Sequence, residues 1–229
     1  MDTRREPRLS ATPIVVDGVM YIGSPLGRII ALDPETGDEL WTFDSEVDRG
    51  GTYGDFTNRG VATWLDTEVP EDAACRRRVY IGTIDARLIS VDGLTGERCR
   101  SFGRRGQIDL RRGLRIDPFE YEAYQLTSPP LVFCDLVITG SSIADNSRAN
   151  PASGEVRAWD ARTGRLRWSW DPIPQEPSDP AHETWAAGSA SETGAGNVWS
   201  TMTADPERGL VFLPTSSPAP DYYGRSEER

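Results

Sequence analysis

Apolar residues along this chain come in short runs, and none repeats with a helical period. Thr12-Pro13-Ile14-Val15-Val16 and Val19-Met20-Tyr21-Ile22-Gly23 flank Asp17-Gly18, a pair suited to a two-residue hairpin turn. The same reasoning predicts strands at Ile29-Ile30-Ala31-Leu32, Leu40-Trp41-Thr42-Phe43, and Arg59-Gly60-Val61-Ala62-Thr63-Trp64. Further strands are expected at Arg78-Val79-Tyr80-Ile81-Gly82-Thr83 and Ala86-Arg87-Leu88-Ile89-Ser90-Val91. Pro130-Leu131-Val132-Phe133 and Leu136-Val137-Ile138-Thr139-Gly140 flank a Cys134-Asp135 turn, and Val156-Arg157-Ala158-Trp159 and Leu210-Val211-Phe212-Leu213-Pro214 complete the set. Between them lie polar, irregular stretches at 44–58, 103–125 and 141–154, and an excursion at 171–196 rich in Pro, Ser, Gly and Ala. The pattern predicts an all-β protein.

One phrase organises these strands. Ala31-Leu32-Asp33-Pro34-Glu35-Thr36-Gly37 runs into a strand that closes on Phe43. The phrase returns as Ser90-Val91-Asp92-Gly93-Leu94-Thr95-Gly96, closing on Phe102, and as Ala158-Trp159-Asp160-Ala161-Arg162-Thr163-Gly164, closing on Trp170. In each, a strand ends at the Asp, whose side chain can cap the turn with that of the Thr, and the Gly supplies a positive φ. Gly37, Gly96 and Gly164 lie 59 and 68 residues apart. Self-similarity at such a period predicts a β-propeller, one antiparallel blade per repeat, with longer loops than the roughly 40–45-residue WD repeat allows. The hairpin repeats fall near 12–43, 78–102, 130–170 and 197–220, so residues 1–229 are expected to form an incomplete propeller of three to four blades. Propellers close with about four to eight blades, which predicts that this chain is part of a longer one.

Composition narrows the function. A net charge of −11 argues against nucleic acid as a partner. No Lys is present, which excludes Schiff-base chemistry here, and the single His, His182, supports neither a multi-His metal centre nor a Ser-His-Asp triad. Cys75, Cys99 and Cys134 are compatible with a Cys75–Cys99 disulfide in an exported protein and equally with three ordinary thiols. Met1-Asp2-Thr3-Arg4-Arg5 has no apolar core behind it, so no signal peptide or membrane span is read there.

Several strings outside the repeat are more specific. They are Asn58-Arg59-Gly60-Val61-Ala62, Gly82-Thr83-Ile84-Asp85-Ala86-Arg87-Leu88-Ile89, Thr127-Ser128-Pro129-Pro130-Leu131-Val132, Gly140-Ser141-Ser142-Ile143-Ala144-Asp145-Asn146, Asn197-Val198-Trp199, and Leu213-Pro214-Thr215-Ser216-Ser217-Pro218-Ala219-Pro220-Asp221. With the Ala-x-Asp-x-x-Thr-Gly-x-x-x-Trp repeat, this order resembles the pyrroloquinoline quinone (PQQ) dehydrogenases, in particular their glucose/quinate/shikimate group. The resemblance runs from about Thr12 to Gly224 and implies the early part of an eight-bladed propeller.

It also implies a function: oxidation of a sugar or polyol hydroxyl, glucose foremost, with two electrons passed to PQQ beside a bound Ca2+ or Mg2+ and on to a quinone acceptor. By position, Arg59, Thr127 and Trp199 are the expected cofactor contacts: a guanidinium for the quinone oxygens, a hydroxyl donor, and a flat ring for stacking. Asp145, with Asn146 beside it, is the expected cation ligand. Ser217 stands where many members carry a second ligand, Asn. Cys75 and Cys99 match a cysteine pair of glucose-type members. Tyr53-Gly54 occupy the place of the adjacent cysteines of alcohol-oxidising members, and Trp64 that of a His in some sugar-oxidising ones. The family's catalytic Asp and assisting Lys belong to a later repeat, so the expected base lies beyond this chain's C-terminal end and no catalytic residue is assigned within it. Periplasmic placement, or attachment to the outer face of the cytoplasmic membrane through parts beyond this chain, is a further implication. A scaffold propeller built on the same repeats is the alternative; it gives no reason for Arg59, Thr127, Asp145 and Trp199 to occur together.

Overall fold

The computed structural model describes residues 9–50, 53–118, 124–146, 148, 150–186 and 188–221. The opening stretch Met1-Asp2-Thr3-Arg4-Arg5 and the expected family resemblance at Tyr222-Tyr223-Gly224 lie outside the described residues.

The hairpin at Asp17-Gly18 forms as its turn chemistry dictates, with φ of +51° and +76° at the two residues. It joins β1 (Ile14–Val16) to β2 (Val19–Gly23), and β3 (Arg28–Leu32) and β4 (Glu39–Asp44) extend the meander into a four-stranded antiparallel sheet in chain order. A second sheet contains β5 (Ala62–Leu65), β6 (Arg77–Gly82), β7 (Arg87–Asp92) and β8 (Gln107–Asp109). A separate two-stranded ribbon pairs β9 (Tyr124–Gln125) with β12 (Ser142–Ile143). The third sheet is β10 (Leu131–Phe133), β11 (Leu136–Thr139), β13 (Val156–Asp160) and β14 (Leu166–Trp170). Residues 171–196 hold a 3-10 turn (Pro180–Thr184) and a one-turn helix α1 (Ser189–Glu192). A two-stranded sheet, β15 (Thr203–Asp205) with β16 (Leu210–Phe212), follows.

The Asp-x-x-Thr-Gly turns are the same object three times. Oδ1 of Asp33 accepts from the N–H groups of Glu35 and Thr36 at 2.8 and 3.0 Å, and Oδ1 of Asp92 does the same for Leu94 and Thr95. Oδ1 of Asp160 accepts from Arg162 and Thr163 at 3.2 and 2.8 Å. The glycine N–H then closes the turn on the Asp carbonyl, at 2.9, 2.9 and 2.8 Å.

Consecutive sheets pack face to face. Tyr21, Ile29 and Ala31 of the first sheet meet Val79, Ile81, Ile89 and Val91 of the second. Tyr80, Leu88 and Phe102 meet Val137 and Trp159, and Ile138, Val156 and Ala158 meet Val198, Met202 and Val211. Polar bonds cross the same interfaces to the next repeat's turn. Tyr21 Oη donates to Gly93 O at 3.0 Å and Tyr80 Oη to Ala161 O at 2.5 Å, each carbonyl following the turn Asp. Trp41 Nε1 also donates to Gly93 O, at 3.1 Å. This is a partial β-propeller in which the turns of the second and third blades hold the blades before them.

The second repeat departs from the expected strand at its close. Residues 97–102 contribute only a single bridge, Val91 with Arg98, and the fourth strand is β8, from the stretch expected to be irregular. Three features divert the chain. Cys99 is bonded to Cys75, Phe102 is fully buried, and Gly103 turns with φ +53°. Likewise the expected strand at residues 59–64 begins only at Ala62, because the peptide groups before it bond elsewhere.

Candidate functional site

The segments that enter the first strand of successive sheets converge. Thr12 precedes β1, Arg59 precedes β5, Thr127 precedes β10 and Trp199 precedes β15. Thr12 N donates to Arg59 O at 3.0 Å, and Arg59 N donates to Thr127 O at 3.0 Å. The Arg59 side chain continues the chain of contacts: Nη1 donates to Thr127 O at 3.2 Å and to Trp199 O at 3.4 Å. Gly60 makes this approach feasible, since a Cβ there would stand 3.2 Å from Thr12 O on a backbone with φ +146°.

The structure therefore brings Arg59, Thr127 and Trp199 together across 140 residues of sequence. The Arg59 guanidinium lies 5.2 Å from the centre of the Trp199 ring, a cation–π contact. Trp199 keeps 46 % of its surface open, unlike the interface Trp64 and Trp159. Thr127 is buried and its Oγ1 has no hydrogen-bond partner among the described residues. Ser128 and Ser141 carry buried hydroxyls in the same condition. An unpaired buried hydroxyl is costly, so an adjacent acceptor or donor from a ligand would be stabilising.

Asn197 is a joint the sequence did not reveal. It is buried; its Nδ2 donates to Ser141 O at 2.7 Å, and its Oδ1 accepts from Ser216 Oγ at 3.2 Å. Ser216 N donates to Asn197 O at 2.9 Å, while Ser141 N donates to Val198 O at 2.8 Å. One amide thus fixes three segments: the one leading to Asp145, the one carrying Trp199, and the one carrying Ser217. No hydrogen bond links Asp145 and Ser217 directly among the described residues. Asp145 sits in a loop where burial, with a further contribution from the charge of Asp221, pushes its carboxyl above the usual carboxylate range. A divalent cation would relieve both effects. Ser217 is exposed and offers a neutral hydroxyl. Among the described residues no cluster of three or more His, Cys, Asp or Glu is assembled for a metal.

Two other sequence positions turn out to serve packing. Trp64 is buried between the second and third sheets, its Nε1 donating to Asp135 Oδ1 at 3.1 Å, with the guanidinium groups of Arg78 and Arg162 at 5.7 and 5.5 Å from its ring. Tyr53 lies in a small cluster with Val47, Ile84, Leu26 and Phe56. Cys75 and Cys99 are joined as a disulfide; Cys134 is exposed and free.

A half-exposed indole beside a guanidinium, which also bonds the Thr127 carbonyl next to an unsatisfied hydroxyl, suits a flat, oxygen-rich, anionic ring system. Over residues 1–229 the chain matches the family described as "PQQ: Glucose/ethanol/alcohol dehydrogenase, beta-propeller domain". The chain belongs to this family. It is 36 % identical over 212 residues to the glycerol dehydrogenase large subunit of Gluconobacter thailandicus, a match covering 93 % of this chain and 28 % of that protein. It is 35 % identical over 225 residues to the quinate/shikimate dehydrogenase (quinone) of Acinetobacter baylyi, covering 93 % and 27 %. The crystal structure of quinohemoprotein alcohol dehydrogenase from Comamonas testosteroni superposes with a TM-score of 0.71 at 30 % identity, over 93 % of this chain and 30 % of that one. The chain thus spans little more than a quarter of the length of the curated relatives it matches.

Proposed function

We propose that this chain supplies the Arg59–Thr127–Trp199 part of a PQQ site in a dehydrogenase that oxidises a hydroxyl of a sugar or polyol. Arg59 joining Thr127 and Trp199 beside a half-exposed indole carries the reading. Membership of the family supports PQQ as the cofactor, and relatives named for glycerol and for quinate and shikimate support a polyol class, with glucose first among the sugars to test.

When bound, PQQ supplies the two-electron acceptor for the oxidation, with a quinone as the onward acceptor. This chain's residues bind and orient. Trp199 offers the stacking face, and Arg59 offers N–H groups and a positive charge to carbonyl or carboxylate oxygens. Thr127 Oγ1 can donate to an edge oxygen, satisfying a hydroxyl that is otherwise orphaned. Asp145 and Ser217 are the oxygen ligands proposed for Ca2+ or Mg2+, hard donors of the type such ions take. No carboxylate here is assigned as the base that accepts the hydroxyl proton, and the 229 residues alone are expected not to turn over substrate. Sugar oxidation by the isolated chain with PQQ would overturn that expectation. The Cys75–Cys99 disulfide supports an oxidising compartment, and we place the protein in the periplasm or on the outer face of the cytoplasmic membrane. No helix among the described residues is long and apolar enough to cross a membrane.

The test is titration of the intact protein with PQQ in the presence of Ca2+ or Mg2+, read by quenching of tryptophan fluorescence. Saturable, cation-dependent quenching that weakens in Trp199→Ala is expected. No binding by the folded protein would overturn the reading in favour of a scaffold propeller.

A further inference from the structure

A second site lies at the opposite edge of the blades from the converging segments. Repeats one and three carry Trp41 and Trp168 eight residues after the turn Asp, but repeat two carries Arg100. With no tryptophan to dock there, residues 97–106 form a loop beside β4. Its side chains and Phe43 border an open cleft of about 640 Å3, lined by Phe43, Gly96, Glu97, Arg98, Arg100 and Arg105.

The loop is held in place. Cys99 is tied to Cys75, and Phe102 is fully buried. Arg104 N donates to Gln107 O at 2.8 Å and Gly106 N to Phe102 O at 2.9 Å. Arg105 is kept at φ +56°, a conformation an arginine adopts only under constraint. Arg98 is anchored from two sides, by Gln107 Oε1 at 2.7 Å and by the Phe43 ring at 5.1 Å.

The charges of this cleft are predominantly positive. The chain carries a net −11, and Arg28, Arg77, Arg115, Arg162 and Arg208 each hold a carboxylate within 3.0 Å. Arg98, Arg100 and Arg105 have no ion pair among the described residues. Burial makes the Arg98 guanidinium easier to deprotonate than usual, the charge of Arg87 acts in the same direction, and Glu46 opposes both. Three arginines line the cleft against one carboxylate, that of Glu97, so positive charge is in excess there.

We propose that this cleft binds a phosphate group, presented either as free phosphate or as the headgroup of an anionic phospholipid. Guanidinium forks match the paired oxygens of phosphate, and hydrogen bonds with charge on both partners are the strong class. Glu97 gives the site a preference. Its carboxylate can accept the proton that phosphate retains near neutral pH, whereas sulfate has no proton to give.

The experiment uses the intact protein and the variant Arg100→Gln/Arg105→Gly. Glycine at 105 fits the left-handed backbone, and position 100 is exposed, so the fold is retained. Inorganic phosphate and sulfate are titrated calorimetrically at constant ionic strength, and the Tm of the unmodified protein is measured in phosphate against chloride. Saturable phosphate binding, tighter than sulfate, a raised Tm, and weakening by about tenfold or more in the double variant are expected. Co-sedimentation with vesicles of anionic against neutral phospholipid then distinguishes the sources. Binding to anionic vesicles that phosphate displaces assigns the headgroup, and phosphate binding alone assigns the free ion. Absence of both phosphate and vesicle binding, or binding unaltered by the double variant, overturns the proposal. Sulfate binding as tight as phosphate overturns the role given to Glu97.

Discussion

Gly37 and Gly96 occupy the same place in successive turns, with φ of +78° and +72°, yet their surroundings differ. A Cβ at Gly37 would meet nothing within 4 Å, while one at Gly96 would stand 2.6 and 2.9 Å from ring atoms of Trp41. Gly37→Ala therefore carries only the left-handed strain, about 1 kcal/mol. Gly96→Ala carries that strain plus overpacking against an indole fixed by its bond to Gly93 O, about 1–3 kcal/mol more. The difference isolates blade docking from backbone conformation. It is read as the shift in urea midpoint of the intact protein at unchanged slope. A double-mutant cycle completes the test: with Trp41→Ala in place the ring is gone, and Gly96→Ala should cost no more than Gly37→Ala. Equal costs for Gly37→Ala and Gly96→Ala in the unmodified background would refute the docking account. So would a Gly96→Ala penalty that persists without the Trp41 ring.

Asn197→Ala removes the donor to Ser141 O and the acceptor for Ser216, and should destabilise by about 2 kcal/mol while weakening Ca2+ or Mg2+ binding more than PQQ stacking; calorimetric titration of the cation alone checks this. Burial raises the Asp145 pKa, so proton and cation compete for one carboxylate; cation affinity should fall as pH drops through that raised value, and Asp145→Asn should abolish the dependence in a titration series. Asp66 is buried against Arg162, at 2.6 and 2.7 Å, which lowers its pKa. A depressed carboxyl contributes stability above its unfolded pKa of about 3.9, lost as pH falls through the folded value. Arg162→Ala should cost about 2 kcal/mol at neutral pH, below the usual loss for a broken buried pair because Arg162 is 37 % exposed, and should flatten acid unfolding curves below about pH 4. Reducing the Cys75–Cys99 bridge, which spans 24 residues, should cost about 3 kcal/mol in thermal unfolding with and without reductant.

The turns were legible because their chemistry is local. Asp, Thr and Gly at fixed offsets specify capping and a positive φ wherever they occur, and the alternating runs between them specify strands. The close of repeat two was not legible, because a disulfide and the burial of Phe102 decide it, and both act across the fold. The Tyr-Ile-Gly strings at Tyr21 and Tyr80 were visible, but the two hydroxyl-to-turn bonds they make depend on which sheet lies next. In the site, Arg59, Thr127 and Trp199 were marked by resemblance rather than by any local pattern, and only the folded chain places them in contact. Asn197 opens the string Asn197-Val198-Trp199, yet its role as a joint is a property of three segments more than 15 residues apart.

The meander separates stability from chemistry along each strand. In an antiparallel sheet joined in chain order, the β1–β2 turn and the β3–β4 turn lie at one end, while the segment entering β1 lies at the other. Docking contacts gather at the turn end: Trp41 and Tyr21 on Gly93, Tyr80 on Ala161, and Arg77 on Asp17. The entry end holds Thr12, Arg59, Thr127 and Trp199, bonded to one another by two peptide hydrogen bonds and by the Arg59 guanidinium. The Trp199 ring, half exposed, and the Thr127 hydroxyl, which has no partner among the described residues, can therefore serve a ligand without weakening the turn-end joints between blades. Substitutions at Trp41 or Gly96 should thus alter stability with little change in PQQ affinity per folded molecule, and Trp199→Ala should do the reverse. A propeller in which both substitutions moved both quantities equally would have its site built from the docking contacts, contrary to this geometry.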